Sequence, residues 1–153
     1  MSQAEAVGDL QQSVGYALKQ AAVALRSAMD AVLRPLDLTV PQYSCLEVLS
    51  QRPGLSNAEL ARATFVTRQA MHGVLRGLQD RGLVSRPASA SHGRALPTQL
   101  TAAGRQHLQV ASVAVRAVER RMLSPLSDAD QHRLRNDLAT CTAVLTADSG
   151  QTG

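Results

Sequence analysis

Ser56-Asn57-Ala58-Glu59 and Thr67 are two helix starts set so close together that the helix between them must be short, and Gly82 stops the one that follows. In the first start, the Ser56 hydroxyl is positioned to accept from the amide three residues on while Glu59 reaches back, the reciprocal pattern of a capping box. Thr67 is placed to cap the next helix, with Val66 and Met71 at the spacing of a hydrophobic staple. Gly82 takes the left-handed conformation that ends a helix without steric penalty. These signals predict a short helix to Ala63, a tight turn, and a longer helix from Arg68 to about Arg81. Leu60, Ala61, Val66, Met71, Val74, Leu75 and Leu78 would lock the pair together.

On either side the apolar spacing is again helical. Leu10, Val14, Leu18, Leu25 and Val32 predict a long amphipathic helix over 9–34 that Pro35 ends, because a residue before proline disfavours the helical region. Thr39-Val40-Pro41-Gln42 is a second capping box, opening a helix to about Gln51 that stops at Arg52-Pro53-Gly54. After Gly82 two extended pieces, Leu83–Arg86 and Ala95–Leu100, flank a polar loop and predict a β-hairpin. Pro97 has no amide to give a ladder, so its strand should be irregular or at an edge. Thr101 caps a helix to about Leu123, and Ser127-Asp128-Ala129-Asp130 opens a last one with Leu134, Leu138, Cys141 and Leu145 as its apolar stripe. Beyond Thr146 the tail reads as disordered.

The fold class that follows is mainly α: six helices and a β-hairpin, a helix–turn–helix with a wing over 38–100. The long flanking segments, 9–34 and 101–146, carry broad apolar faces, Leu108, Ala111, Val115, Val118 and Met122 among them. One small domain has little core to cover them all, so they are expected to pack together and onto a second copy. The other use of such a face is the monomer core.

Charge then narrows the partner. The 153-residue chain has a formal net charge of +4, yet residues 62–105 hold seven arginines (Arg62, Arg68, Arg76, Arg81, Arg86, Arg94 and Arg105) against one acid, Asp80. Basicity concentrated on one stretch is the footprint of a polyanion binder, where a solvated surface would be mixed. Aromatics are 2% of the chain, Tyr16, Tyr43 and Phe65, which argues against sites built from stacked rings. Cys45 and Cys141 stand far apart, and His72, His92, His107 and His132 lack metal-ligand spacing, so no metal or cofactor is expected. No nucleophile elbow, zinc-protease helix or phosphate loop is present, and an enzyme is not expected. The amino-terminal stretch has neither the charge nor the apolar run of a signal peptide, and no segment approaches the roughly 18 apolar residues of a membrane span. A soluble cytoplasmic protein is expected.

At the start of the longer central helix the exposed positions are Thr67, Arg68, Gln69 and His72. A helix fits the major groove of B-form DNA, where arginine reads guanine and glutamine reads adenine through paired hydrogen bonds. Arg94, in the hairpin loop, adds a wing contact, and Arg62, Arg76, Arg81 and Arg86 are candidates for the phosphate backbone. The expected partner is therefore double-stranded DNA.

With these residues in view the chain resembles the MarR-type winged helix-turn-helix transcription factors over about residues 9–146. The likeness is carried by Leu38-Thr39-Val40-Pro41-Gln42-Tyr43 with Leu46 and Leu49, and by Leu55-Ser56-Asn57-Ala58-Glu59-Leu60-Ala61. It continues through Val74-Leu75-Arg76-Gly77-Leu78-Gln79-Asp80-Arg81-Gly82-Leu83-Val84-Ser85-Arg86 and Leu100-Thr101-Ala102-Ala103-Gly104. The resemblance implies a homodimer, triangular in outline, joined through its terminal helices, with two winged domains straddling a pseudo-palindromic operator. It implies a repressor released by a small aromatic or phenolic ligand or by oxidation. It also implies a ligand pocket between the dimer helices and the winged domain, for which Tyr43 and His107 are candidates. The family's wing usually carries Asp-x-Arg, whereas His92-Gly93-Arg94 stands here; the arginine is kept without its carboxylate, and a protonated His92 would add charge. Two alternatives stand beside this reading: a redox-sensing repressor using Cys45, and a winged helix that docks onto protein and does not bind DNA.

Overall fold

The computed structural model describes residues 8–87 and 97–149. Among them run α1 (Val14–Leu33), α2 (Val40–Gln51), α3 (Asn57–Ala63), α4 (Arg68–Asp80), β1 (Val84–Ser85), β2 (Gln99–Leu100), α5 (Ala102–Leu123) and α6 (Asp128–Ser149). This is the mainly helical winged architecture expected from the spacing, and cap chemistry sets most of its boundaries. Thr39 Oγ1 accepts from the Gln42 amide at 3.2 Å while Gln42 Oε1 accepts from the Thr39 amide at 3.0 Å. Both halves of the Ser56–Glu59 box form at 3.2 Å.

Several boundaries differ from the sequence reading. The first long helix starts at Val14, because the Ser13 hydroxyl accepts from Tyr16 and ends a separate 3-10 turn over Leu10–Gln12. Pro35 does not end that helix alone. The chain tightens into a 3-10 turn over Arg34–Leu36, which holds Pro35 in its opening turn, where a missing amide costs little, and Asp37 at φ 55° makes the reversal. α6 continues helical to Ser149, past Thr146, where a disordered tail was expected.

The hairpin is shorter than Leu83–Arg86 against Ala95–Leu100. Val84 pairs with Leu100 and Ser85 with Gln99, antiparallel. Leu83 belongs to the helix end instead, its amide donating to the Leu78 carbonyl at 2.9 Å. A further bridge joins Leu55 to Thr98, with Gly54 N–H on the Thr98 carbonyl at 2.9 Å and Thr98 N–H on the Leu55 carbonyl at 3.0 Å. The stem of the wing is thereby tied to the loop that leads into α3.

The core lies between α2, α3, α4 and the C-terminal part of α1, with Leu33, Leu46, Leu49, Leu60, Met71, Leu75 and Leu78 buried. Part of the α5 face expected at a dimer contact belongs to this chain's own packing: Leu108, Ala111 and Val118 are buried and Val115 packs against the core. Met122 stays exposed, as do Val110 and Val113. Val14, Leu18 and Val23 of α1 are exposed too.

The chain divides into two compact units at Val118–Glu119, inside α5. In the second, Gln131 Nε2 donates to the carbonyls of Leu123 and Leu126 at 3.2 and 3.1 Å, fixing the turn into α6. Leu134, Leu138 and Cys141 of α6 are exposed. No described helix is long and apolar enough to cross a membrane.

Candidate nucleic-acid interface

α3 and α4 are held as one body by their inner faces. Leu60 and Ala61 of α3 and Met71, Leu75 and Leu78 of α4 are buried, and Val66 and Val74 pack against the same core. Asn57 Nδ2 donates to the Arg68 carbonyl at 3.3 Å, joining the first turns of the two helices. Between them the Thr64 hydroxyl donates back to the Leu60 carbonyl at 2.7 Å, and the Val66 amide donates to the Ala61 carbonyl at 3.0 Å. Glu59 is held below the usual carboxylate range by its hydrogen bonds to Ser56, so the α3 capping box is intact at neutral pH.

With the inner face fixed, the outer face of α4 is determined by helical spacing. Arg68, Gln69, His72 and Arg76 are all exposed; Arg68, His72 and Arg76 stand at i, i+4 steps one above another, and Gln69, three residues before His72, borders the same stripe. Thr67 caps the helix, its hydroxyl accepting from the Ala70 amide at 3.0 Å. That bond uses an oxygen lone pair and leaves the hydroxyl proton available to a phosphate oxygen. Within the same stretch Gly73 is exposed, and a β-carbon there would meet nothing within 4 Å. The first turns of α4 therefore present long donors around a slim backbone, the shape that enters a groove.

The backbone-contact candidates separate. Arg62 is exposed on the last turn of α3, close in sequence to the α4 start. Arg86 is half-buried after β1, its Nε buried without a hydrogen-bond partner among the described residues. Arg81 lies at the C-terminal end of α4, the far end from Arg68, and donates through Nη1 to the Asp37 carbonyl. That partner gives Arg81 a task inside the chain. His92 and Arg94, the wing residues, lie outside the described residues.

The two ligand candidates are not brought together. Tyr43 is 2% exposed, and its hydroxyl donates to Glu47 Oε2 at 2.8 Å, with Ser112 Oγ of α5 at 3.4 Å. Burial raises its pKa above the usual tyrosine value. It is a core residue linking α2 to α5. His107 is exposed on α5 and lines a cavity of about 590 Å³ with Pro35, Leu36, Asp37, Arg81 and Val110. His107 Nδ1 sits 3.1 Å from the Ala103 carbonyl, which only accepts, so Nδ1 carries a proton and the neutral ring offers Nε2 as an acceptor.

Cys45 is fully buried, and burial pushes its thiol up to about 12, a group with almost no thiolate at neutral pH. Among the described residues no cluster of three or more His, Cys, Asp and Glu could hold a metal ion. Sequence reasoning missed Phe65: 94% exposed and at φ 62°, it stands in the turn between α3 and α4. Nothing in apolar periodicity marks a turn residue, and its signal was an aromatic outside every stripe.

Comparison with known proteins agrees with this geometry. A model of the MarR family matches residues 36–95. The HTH-type transcriptional repressor Rv2887 of Mycobacterium tuberculosis (strain ATCC 25618 / H37Rv) is 49% identical over 125 residues, which cover 82% of this chain and 90% of that one. A crystal structure of the same M. tuberculosis protein in complex with DNA superposes with a TM-score of 0.71 at 43% identity, covering 84% of this chain and 97% of the other. Its complex with salicylic acid gives 0.69 at 47% identity, over 84% and 96%. On a winged helix pair built in this way, and on sequence identity at that level over most of both chains, the chain belongs to the MarR family.

Proposed function

We propose that the protein is a homodimeric transcriptional repressor that binds a pseudo-palindromic DNA operator and is released by a small aromatic acid. The observation that carries this is the outer stripe of α4. Arg68, Gln69 and His72 stand exposed in its first turns, on a helix whose other face is fixed in the core. Thr67, Arg68, Gln69 and His72 enter the major groove, Arg62 and Arg76 face phosphates, and Arg94 acts from the wing. Residues 38–100 form the DNA-binding unit, and 9–34 with 101–146 join the two copies. The exposed apolar side chains of α1 and α6, Val14, Leu18, Val23, Leu134 and Leu138 among them, support a second copy as the cover.

The cavity beside His107 is the effector site in this reading. Leu36 and Val110 offer apolar surface to a ring, Arg81 a cation for a carboxylate, and His107 Nε2 an acceptor for a phenolic hydroxyl. The relative that crystallised with salicylic acid supports an effector of this class. An effector drawing Arg81 from the Asp37 carbonyl would act on the C-terminal end of α4 itself.

Two steps test the proposal. Fragments of the source genome are selected on purified protein, and salicylate-type acids are then titrated into the complex. Recovery of a common pseudo-palindrome, released by the acids in wild type and not in Arg81→Ala, is expected. Fragments with no shared sequence would overturn the operator reading. The protein-docking alternative predicts no fragment at all, and the Cys45 alternative predicts release by peroxide in place of acids.

A further inference from the structure

We infer that Phe65 is a specificity-determining DNA contact, its ring resting on the 5-methyl group of a thymine beside the groove that α4 enters. The inference rests on the proposed role of α4 and extends the reading surface beyond that helix.

Phe65 has the greatest exposure of the large apolar side chains described, 94%. A single exposed apolar residue needs no explanation by itself. This one is also held at φ 62°, a region that glycine enters freely and an aromatic residue does not. Strain of that kind collects where a side chain must be presented. The neighbours in the turn are committed elsewhere. Thr64 donates inward to the Leu60 carbonyl at 2.7 Å, and Val66 packs on the core. The turn thus sends one large side chain into solvent, the one with least affinity for water.

Its surroundings decide the partner. Arg62 precedes it by three residues and Arg68 follows by three, both exposed, and Thr67 and Gln69 complete the approach to α4. A protein pocket seating the phenyl ring would have to cover those guanidinium groups as well, and unpaired charges resist burial. A DNA duplex has no such difficulty. Its phosphates pair with the arginines, and thymine alone of the bases carries a methyl group into the major groove, where apolar side chains meet it.

The test uses the operator recovered by genomic selection, with each thymine of one half-site replaced in turn by uracil, which lacks only that methyl. Wild type should lose about fourfold in affinity at one thymine, the equivalent of ~0.8 kcal/mol for one buried methyl-sized group, tenfold being about 1.4 kcal/mol. Phe65→Gly and Phe65→Asn both suit a left-handed turn and should melt no lower than wild type. Each should bind the unmodified operator more weakly, by about fourfold per half-site, and lose discrimination at that same thymine. Variants that keep the wild-type uracil response, or a wild type with no uracil response at any position, would overturn the inference while leaving operator binding intact. A wild type that binds no duplex would overturn the role of α4 and this inference with it.

Discussion

A β-carbon on Gly104 would lie 2.0 Å from the carbonyl oxygen of Leu83, so the first turn of α5 rests directly on the backbone where α4 gives way to β1. Thr101 secures the same junction. Its amide donates to Leu83 at 3.1 Å, and its hydroxyl donates to the Gly82 carbonyl at 2.6 Å while accepting from the Gly104 amide at 3.0 Å. The end of α4, the root of the hairpin and the start of α5 therefore meet at backbone contact distance.

Gly104→Ala should be severely destabilising. The obstructing atom is a backbone carbonyl that no rotamer change moves, which places the substitution at about 3 kcal/mol or beyond, above ordinary overpacking. Urea unfolding at matched protein concentration measures it, the match being needed because dimerisation shifts apparent stability. A loss under about 1 kcal/mol would mean that the junction yields easily.

Arg68→Ala and Gln69→Ala should relax sequence preference at particular operator positions, each discrimination falling by about 1–3 kcal/mol. Arg94→Ala should weaken binding to all sequences alike and reduce the salt slope by about 1. Affinities for a panel of single-base operator variants separate the two patterns. Unchanged preference in both helix variants would mean that the reading surface lies elsewhere.

Gly73→Ala should stabilise the fold and weaken DNA binding. A β-carbon at this position meets nothing in the protein, so the substitution gains the helix propensity that glycine forgoes, about 1 kcal/mol. The same methyl stands on the α4 face proposed to approach the groove. Thermal melting and operator titration give the two signs, and a variant that binds as wild type would remove Gly73 from the interface.

The cysteines should respond unequally. An aromatic disulfide reagent should titrate exposed Cys141 in the native protein and reach buried Cys45 only in denaturant. The Cys45 thiol is raised from 9.0 to about 12 in the folded state, so its contribution to stability is complete below pH 9 and is lost as pH rises towards 12. Cys45→Val should flatten that alkaline decline. Mild peroxide should leave DNA binding unchanged in wild type; release that Cys45→Ala abolishes would restore the redox reading.

Much of this fold was legible because its helices are bounded by local chemistry. Thr39, Ser56, Thr67 and Gly82 act through partners only a few residues away, so the sequence displays cause and effect together. What stayed hidden depends on distant partners. The Leu55–Thr98 bridge joins two short segments with no alternation to announce it, and the Arg81–Asp37 bond crosses 44 positions. For Tyr43 the sequence offers a pocket position and a core position alike, and only the bonds of its hydroxyl to Glu47 and Ser112 display its link between α2 and α5. The apolar face of α5 showed the same limit from the other side: periodicity marks Leu108, Ala111 and Val118 as buried without saying which chain buries them.

The central claim is that the exposed stripe of α4, with its arginines, meets a DNA duplex. The dissociation constant for a selected genomic fragment, measured across a series of salt concentrations, tests it most directly. A steep fall in affinity, with a log–log slope of about −0.9 for each phosphate neutralised and two chains per duplex, is the predicted result. An affinity indifferent to salt, or no binding at low ionic strength, would contradict it.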